Sequence, residues 1–270
     1  MKHPQNATTI RPQILVAGVL LTVLAAGLFF TRFTIERYVT AWLQPAAPEW
    51  HEDARITNAP IPVAAAQTTQ GVDCSKERCL ALTFDDGPNP IATPMILDVL
   101  ERQHVQASFF VVGSRAAMQG PILRRMHAGG SEIGNHSWSH ANMAEMSADQ
   151  VAAQINRTQT AVAAAGVPVP RLFRPPYGAV SSTMRSTIPM TFAMWNVDPL
   201  DWQEKDPGKV KERILAEAKP GGVLDLHDIY VTTAQALEPT IIELKKQYRL
   251  VTYSQLFNLQ AGQRGEYFGR

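Results

Sequence analysis

The sequence predicts an α/β fold in which helices cover a parallel sheet that is either open or closed into a barrel. Apolar runs with strand composition recur at residues 80–84, 107–112, 132–136, 171–175, 191–197, 223–227 and 248–253. Amphipathic stretches separate them, for example 93–103 and 147–166; the second begins with Ser147 as its predicted N-cap and ends at Gly166. Repeated strand–helix alternation is typical of parallel sheets, whose reactive side chains lie at the carboxyl ends of the strands.

The composition is that of a globular protein. Hydrophobic residues make up 45% of the 270 residues and charged residues 18%, unlike a disordered chain. Lys and Arg number 25 and Asp and Glu 24, and this near-neutral balance argues against a nucleic-acid partner. The two cysteines are too few for a disulfide scaffold or a four-thiolate zinc site.

An uncharged apolar run of 17 residues occupies positions 14–30. As a helix it would rise about 26 Å, the lower end of what spans a bilayer. A buried core helix and a cleaved signal peptide are alternatives, but no A-x-A cleavage site follows the run, which favours an uncleaved signal-anchor. Balanced positive flanks leave its orientation open. The predicted organisation is a cytoplasmic N-terminus (1–13), a transmembrane helix (14–31), a Pro/Ala-rich stalk (32–70) and one globular domain (71–270).

Cys74 and Cys79 enclose four residues just ahead of the first predicted strand. A metal site would need further soft ligands nearby, whereas a disulfide across this short loop is geometrically reasonable. Such a bridge would stabilise the fold by roughly 2 kcal/mol. Oxidised pairs indicate an extracytoplasmic location. Together with the apolar run, the pair predicts a single-pass membrane protein whose domain lies outside the cytoplasm, or a secreted protein if the N-terminal segment is cleaved.

Two adjacent carboxylates, Asp85 and Asp86, follow the first predicted strand in TFDDGP. Consecutive strand side chains point to opposite faces, but the Gly87-Pro88 turn can direct both carboxylates to one site. The alternative is that they cap the helix beginning near Thr93 or stabilise the turn.

Two histidines, His136 and His140, follow the third predicted strand in NHSWSH. On a helical turn this spacing puts both imidazoles on one face, within reach of one metal ion. Alone, such a pair of histidines more often lies on the surface or packs against other side chains than binds a metal ion. With a carboxylate from another strand end it makes a two-His, one-carboxylate site that leaves positions open for water and substrate.

Three further polar motifs follow later strands: RPPYG (174–178), DPLDW (198–202) and DLHD (225–228). Arg174 stands before two prolines, and its guanidinium suits bidentate binding of a carboxylate. Each motif alone could be a structural ion pair or a polar turn. Chance placement of all five motifs at strand ends is improbable, so they predict a common site.

The five motifs, in this order, resemble those of the polysaccharide deacetylases, the NodB-homology family of carbohydrate esterases, over about residues 75–255. The resemblance implies a distorted (β/α) barrel and one divalent metal ion, usually zinc, with cobalt, nickel or manganese as substitutes. Family members remove N-acetyl groups from amino sugars or O-acetyl groups from xylan. With an extracytoplasmic domain, it predicts a deacetylase of N-acetylglucosamine in a cell-wall polymer, with peptidoglycan first and chitooligosaccharides as related substrates.

The resemblance also implies a role for each matched residue. It places the metal on Asp86, His136 and His140. Asp85 would be the general base held by Arg174, and His227 the general acid kept charged by Asp201. The backbone N–H of Tyr177 would bind the oxyanion, and Trp202 would form a wall of the acetyl pocket. The substrate-binding positions are Pro176, Tyr177, Trp202, Asp225 and Leu226.

Two positions depart from the family pattern. Ser131 stands where the family often has His, which is tolerable. Asp225 stands where it usually has Leu, next to the acetyl pocket. Strand alternation puts Asp225 on the same face as His227. Burying a carboxylate there costs free energy unless it is ion-paired, protonated or hydrated. We therefore expect Asp225 to bond Arg174, another buried donor or a water; the alternative is a local twist that turns it away.

Other functions remain open at this point. An O-acetyl esterase acting on acetylated xylan would use the same site. A non-catalytic glycan-binding protein on the same fold usually lacks some of the matched residues, which are all present here. An iron-dependent oxygenase also uses two His and a carboxylate, but it has no need for Asp85 or His227.

Overall fold

The computed structural model of the chain describes residues 72–260 and 262–269. The predicted cytoplasmic segment, transmembrane helix and stalk lie outside these residues. Within the described ranges, no helix combines the length and the apolar character needed to cross a membrane.

A parallel sheet forms the centre of the domain, as predicted. In the described ranges it has eight strands in the order β6-β1-β2-β3-β4-β5-β8, and β7 also pairs with β1. All of these pairs are parallel. The strands are β1 (Cys79–Asp85), β2 (Ser108–Val111), β3 (Glu132–Asn135), β4 (Leu172–Phe173), β5 (Thr191–Ala193), β6 (Gly222–His227), β7 (Arg249–Val251) and β8 (Glu266–Tyr267).

The sheet curves into a half-barrel rather than a regular closed barrel. Strand β5 ends at Ala193, earlier than the apolar run 191–197 suggests. A single parallel bridge from Val197 to Leu224 connects the segment after β5 to β6. Strand β8 was not predicted; its two residues pair with β5 at the sheet edge.

Helices connect the strands: α1 (Ala92–Gln103), α2 (Gly113–Ala116), α3 (Gly120–Ala128), α4 (Ala148–Ala164), α5 (Ser182–Thr187), α6 (Pro207–Glu217), α7 (Val231–Leu244) and α8 (Tyr253–Phe257). A 3₁₀ turn spans Pro176–Gly178. The predicted N-cap of α4 is confirmed, because Ser147 forms a capping box with Gln150. The chain leaves this helix through Gly166, whose φ of +78° is the left-handed conformation that favours glycine.

Side-chain alternation along β1 and β6 separates two environments. Phe84 and Leu226 pack in the core between the sheet and the helices. Ala81 and Val223 belong to a second apolar cluster inside the half-barrel. Residues in odd-numbered positions of both strands therefore face the interior, and this parity decides which polar side chains of β1 and β6 can meet.

Candidate active site and metal centre

Three side chains that can hold a metal ion converge beyond the carboxyl ends of β1 and β3. Asp86, His136 and His140 each offer one ligand atom, all within 4.8 Å of one another. Asp86 Oδ1 lies 3.2 Å from His140 Nε2 and 3.6 Å from His136 Nε2. This carboxylate oxygen is buried and accepts no hydrogen bond from the residues that the structure describes. A buried oxygen without a donor, facing two imidazole nitrogens, fits a divalent cation.

The protonation of both histidines suits metal binding. Burial lowers the pKa of His136 to about 3 and also lowers the pKa of His140. Neutral imidazole is the form that binds metals. His136 Nδ1 lies 2.8 Å from the carbonyl oxygen of Arg174, so Nδ1 donates to the backbone and Nε2 faces the site.

The predicted helical turn between the two histidines is wrong. The connecting residues form an irregular loop in which Ser137 and His140 have φ values of 65° and 56°. Ser137 Oγ accepts the backbone N–H of His140 at 2.9 Å. From α4, Gln154 Oε1 accepts two more backbone N–H groups of the loop. Side-chain acceptors thus replace helical hydrogen bonds and bring both imidazoles to one point.

Asp85 ends β1 and faces the interior beside the metal ligands. It is 3% exposed, and its Oδ1 accepts a 2.8 Å hydrogen bond from Arg174 Nη1. The Arg174 guanidinium is fully buried and stacks 4.1 Å above the Phe110 ring. Burial outweighs the attraction of Arg174 and raises the pKa of Asp85 to about 6. A carboxylate with such a pKa is suited to accept a proton near neutral pH.

His227 ends β6 and is paired with Asp85 in the strand register. Its Nδ1 lies 2.7 Å from Asp201 Oδ1. The other oxygen of Asp201 accepts the backbone N–H of His227 and the hydroxyl of Thr233. Burial opposes the charged imidazole, but the hydrogen bond and charge of Asp201 prevail and raise the pKa of His227 to about 10. His227 is therefore a proton donor at neutral pH.

Asp225 faces the interior one level below His227. Of the three partners expected for this carboxyl group, Arg174 is present: Asp225 Oδ1 accepts from Arg174 Nη1 at 2.9 Å. The alternative, a twist that turns Asp225 away, is wrong. The same guanidinium nitrogen also donates to Thr83 and Asp85, so two carboxylates share one cation.

The remaining predicted substrate positions do not share one environment: two are exposed and two are buried. Tyr177 is exposed and packs edge-on against His140 with ring centroids 4.7 Å apart. Trp202 is also exposed, next to Asp201. Pro176 is buried in the 3₁₀ turn. Leu226 does not join the site, because alternation along β6 turns its side chain into the core beneath the helices.

Two residues near the metal ligands were missed from the sequence. Asp228 is buried and accepts the hydroxyl of Thr93 at 2.6 Å. It packs so tightly on Gly87 that a Cβ there would lie 2.0 Å from its Oδ2, which explains the glycine after Asp86. Its place in DLHD was the available signal. Arg115 donates to the backbone carbonyl of Asp86 at 2.8 Å, and no sequence pattern marks it.

A family model described as polysaccharide deacetylase matches residues 73–189. The chitooligosaccharide deacetylase of Bradyrhizobium sp. (strain ANU 289) is 36% identical over 174 residues, which are 63% of this chain and 79% of that protein. The chain belongs to the polysaccharide deacetylase family. The family model ends before Asp201 and His227, so their placement in the site rests on the structure.

Longer family members are also similar. Peptidoglycan-N-acetylmuramic acid deacetylase PdaC of Bacillus subtilis is 42% identical over 181 residues, 67% of this chain and 39% of that protein. Peptidoglycan-N-acetylglucosamine deacetylase PgdA of Listeria monocytogenes is 39% identical over 194 residues, 71% of this chain and 41% of that protein. This chain therefore spans about two-fifths of their length. A solved structure of peptidoglycan deacetylase PdaC from Bacillus subtilis matches with a TM-score of 0.67 and 41% identity, covering 69% of this chain and 93% of that one.

Proposed function

We propose that the protein is a metal-dependent hydrolase that removes N-acetyl groups from N-acetylglucosamine residues of a cell-wall polysaccharide, with peptidoglycan as the first candidate, and releases acetate. One observation carries the proposal: the Asp86, His136 and His140 cluster shares its cleft with a buried base, Asp85, and a charged acid, His227. Hydrolysis of an amide needs both groups, because an amine anion is too poor a leaving group.

The three ligands would hold one divalent ion, zinc first, with cobalt, nickel or manganese as substitutes. When bound, such an ion supplies Lewis-acid chemistry to the attacking water and the acetyl carbonyl. Asp86 Oδ1, which accepts no hydrogen bond within 72–260 and 262–269, would contribute the negative charge, and the two neutral imidazoles would contribute Nε2. Three protein ligands leave positions open for water and substrate.

The proton transfers fall to Asp85 and His227. Asp85 takes a proton from the attacking water, while Arg174 fixes its Oδ1 and leaves Oδ2 directed towards the ligands, 3.5 Å from His136 Nε2. His227 gives its proton to the departing amine nitrogen. The backbone N–H of Tyr177 is proposed to stabilise the oxyanion, and exposed Trp202 to border the acetyl group.

Asp201→Asn is expected to change the pH dependence of hydrolysis. The pKa of His227 is about 10, so the proton donor is present at neutral pH and is lost as the pH rises through that value. Without the Asp201 charge the pKa of His227 falls, and the alkaline limb of kcat should move down by about one pH unit or more. Acetate release from pH 6 to 11 measures this limb. An alkaline limb that stays in place would show that Asp201 does not set the pKa of the proton donor.

Acetate release from three polymers tests the substrate class. Chitooligosaccharides and purified peptidoglycan present N-acetyl groups, whereas acetylated xylan presents O-acetyl esters. The proposal expects release from the first two, together with one free amine per acetate. Release from xylan alone would establish the esterase alternative, and no release from any of them by metal-loaded protein would contradict the proposed hydrolase.

We also propose that the domain works outside the cytoplasm, attached to the membrane through residues 14–31. The disulfide between Cys74 and Cys79 supports this location. Among described residues there is no free cysteine. The anchor and stalk remain predictions.

Reduction of this disulfide is expected to destabilise the domain without stopping catalysis. The bridge closes a short loop, so its loss should lower the free energy of unfolding by roughly 2 kcal/mol. Cys79 begins β1 and Asp85 ends it, about 20 Å away at 3.3 Å per residue. Denaturant titration and acetate release with and without reductant measure the two effects. Free thiols in exported, unreduced protein would contradict the proposed location.

A further inference from the structure

The floor of the cleft carries an acidic side chain that the proposed chemistry does not use. The register of β1 and β6 pairs Asp85 with His227 and, one level deeper, Thr83 with Asp225. Thr83 is fully buried, and both hydrogen-bonding functions of its hydroxyl are used. The hydroxyl donates to the backbone carbonyl of Leu224 and accepts from Arg174. Asp225 therefore forms the polar part of the floor between the base and the acid.

One oxygen of Asp225 has no protein partner. Oδ1 accepts from Arg174, whereas Oδ2 accepts no hydrogen bond from any residue in 72–260 or 262–269. The side chain keeps 7% of its surface exposed. Val223 lies below Asp225 on the same face, Arg174 and Thr83 lie beside it, and His227 lies above. Because Asp85 and His227 lie one level above, we infer that the exposed part of Asp225 faces the space between the proposed base and acid.

An unpartnered carboxyl oxygen in such a place favours a ligand that can form a hydrogen bond with it, because burial of a polar atom without a partner is costly. Burial and the charge of Asp85 raise the pKa of Asp225. A hydroxyl can accept from the protonated acid as well as donate to the carboxylate, whereas the methyl of an acetyl group can do neither. An apolar floor offers neither acyl group a hydrogen bond, whereas a floor with an unpartnered polar atom favours the acyl group that carries a hydroxyl.

We propose that Asp225 is a specificity-determining residue that makes the enzyme prefer N-hydroxyacetyl amino sugars over N-acetyl amino sugars. The inference rests on the proposed function and changes only the acyl group. The amide C–N bond breaks, water supplies the new oxygen on the acyl carbon, and a proton goes to the amine nitrogen. Hydroxyacetate leaves in place of acetate.

The test compares two chitooligosaccharides of equal length, one N-acetylated and one N-hydroxyacetylated, with the full zinc-loaded chain. Release of free amine gives kcat/KM for each. We expect the wild type to favour the hydroxyacetyl substrate by about tenfold, the effect of one buried hydrogen bond. Asp225→Leu should bring the ratio close to one, and Asp225→Asn should lower it.

Thr83→Val is the matched control. It also removes a polar partner of Arg174, but Thr83 is fully buried and offers nothing to the cleft. Any disturbance of Arg174 should slow both substrates equally and leave their ratio unchanged. A change in the ratio after Asp225→Leu but not after Thr83→Val therefore isolates the floor contact.

A wild-type ratio near one, or a ratio that stays the same in Asp225→Leu, would overturn the inference. If Asp225→Leu does not fold, the wild-type ratio and Asp225→Asn decide in the same way. Failure of the proposed function looks different, because the metal-loaded wild type would then hydrolyse neither substrate.

Discussion

His136→Ala is expected to lose its metal ion and to lower kcat/KM for N-acetyl hydrolysis by about 1,000-fold or more. Lewis-acid assistance is worth several kcal/mol, and each 1.4 kcal/mol is a factor of ten. Asp86→Ala and His140→Ala should behave alike, because the three ligand atoms surround one point. Elemental analysis of the purified variants and acetate release measure the two losses.

The domain should remain folded in these variants, since the ligands lie in loops beyond the strands rather than in the apolar core. His104→Asn is a matched control: this exposed histidine follows the last residue of α1, at the end away from the site, in a left-handed conformation that Asn tolerates. It should keep both metal and activity. Stoichiometric metal in any of the three alanine variants would remove that residue from the ligand set.

Asp85→Asn is expected to keep the metal and to slow turnover by about 100-fold or more, the usual contribution of a general base. The amide retains the shape of the carboxylate and can still accept from Arg174, but it cannot take a proton. Acetate release under saturating substrate measures the loss, and metal content separates it from the effect of Asp86.

The same chemical change at Asp206 provides the control. Asp206 is exposed and caps α6, and Asn caps helices equally well. Asp206→Asn should leave turnover unchanged. Nearly normal turnover in Asp85→Asn would show that Asp85 is structural and that another group serves as the base.

Much of the fold follows from local patterns. The seven apolar runs each contain a strand, because a buried parallel strand needs a continuous apolar segment. Strand β8 could not be predicted in this way, because it has only two residues, Glu266 and Tyr267. They pair at the sheet edge with β5, which lies far away in sequence. The early end of β5 is also non-local, because the following segment bonds β6 instead.

The site was predictable where a motif follows a strand, and less so where tertiary contacts set the geometry. Spacing predicted that His136 and His140 would meet, but not that backbone N–H groups donating to the side chains of Ser137 and Gln154 would shape their loop. Alternation along β6 correctly put Asp225 on the same face as His227, and the structure shows that Arg174 is its partner. The same alternation removes Leu226 from the site, and the family resemblance alone had kept it there.

The most direct test of metal-dependent N-deacetylation follows acetate and free amine together from a chitooligosaccharide and from purified peptidoglycan. The full chain is assayed as purified, after chelation, and after zinc is returned. We expect equal amounts of acetate and amine, loss of both after chelation, and recovery with zinc. Acetate and amine release that persists in protein shown to be metal-free, or no release at full metal occupancy, would contradict it.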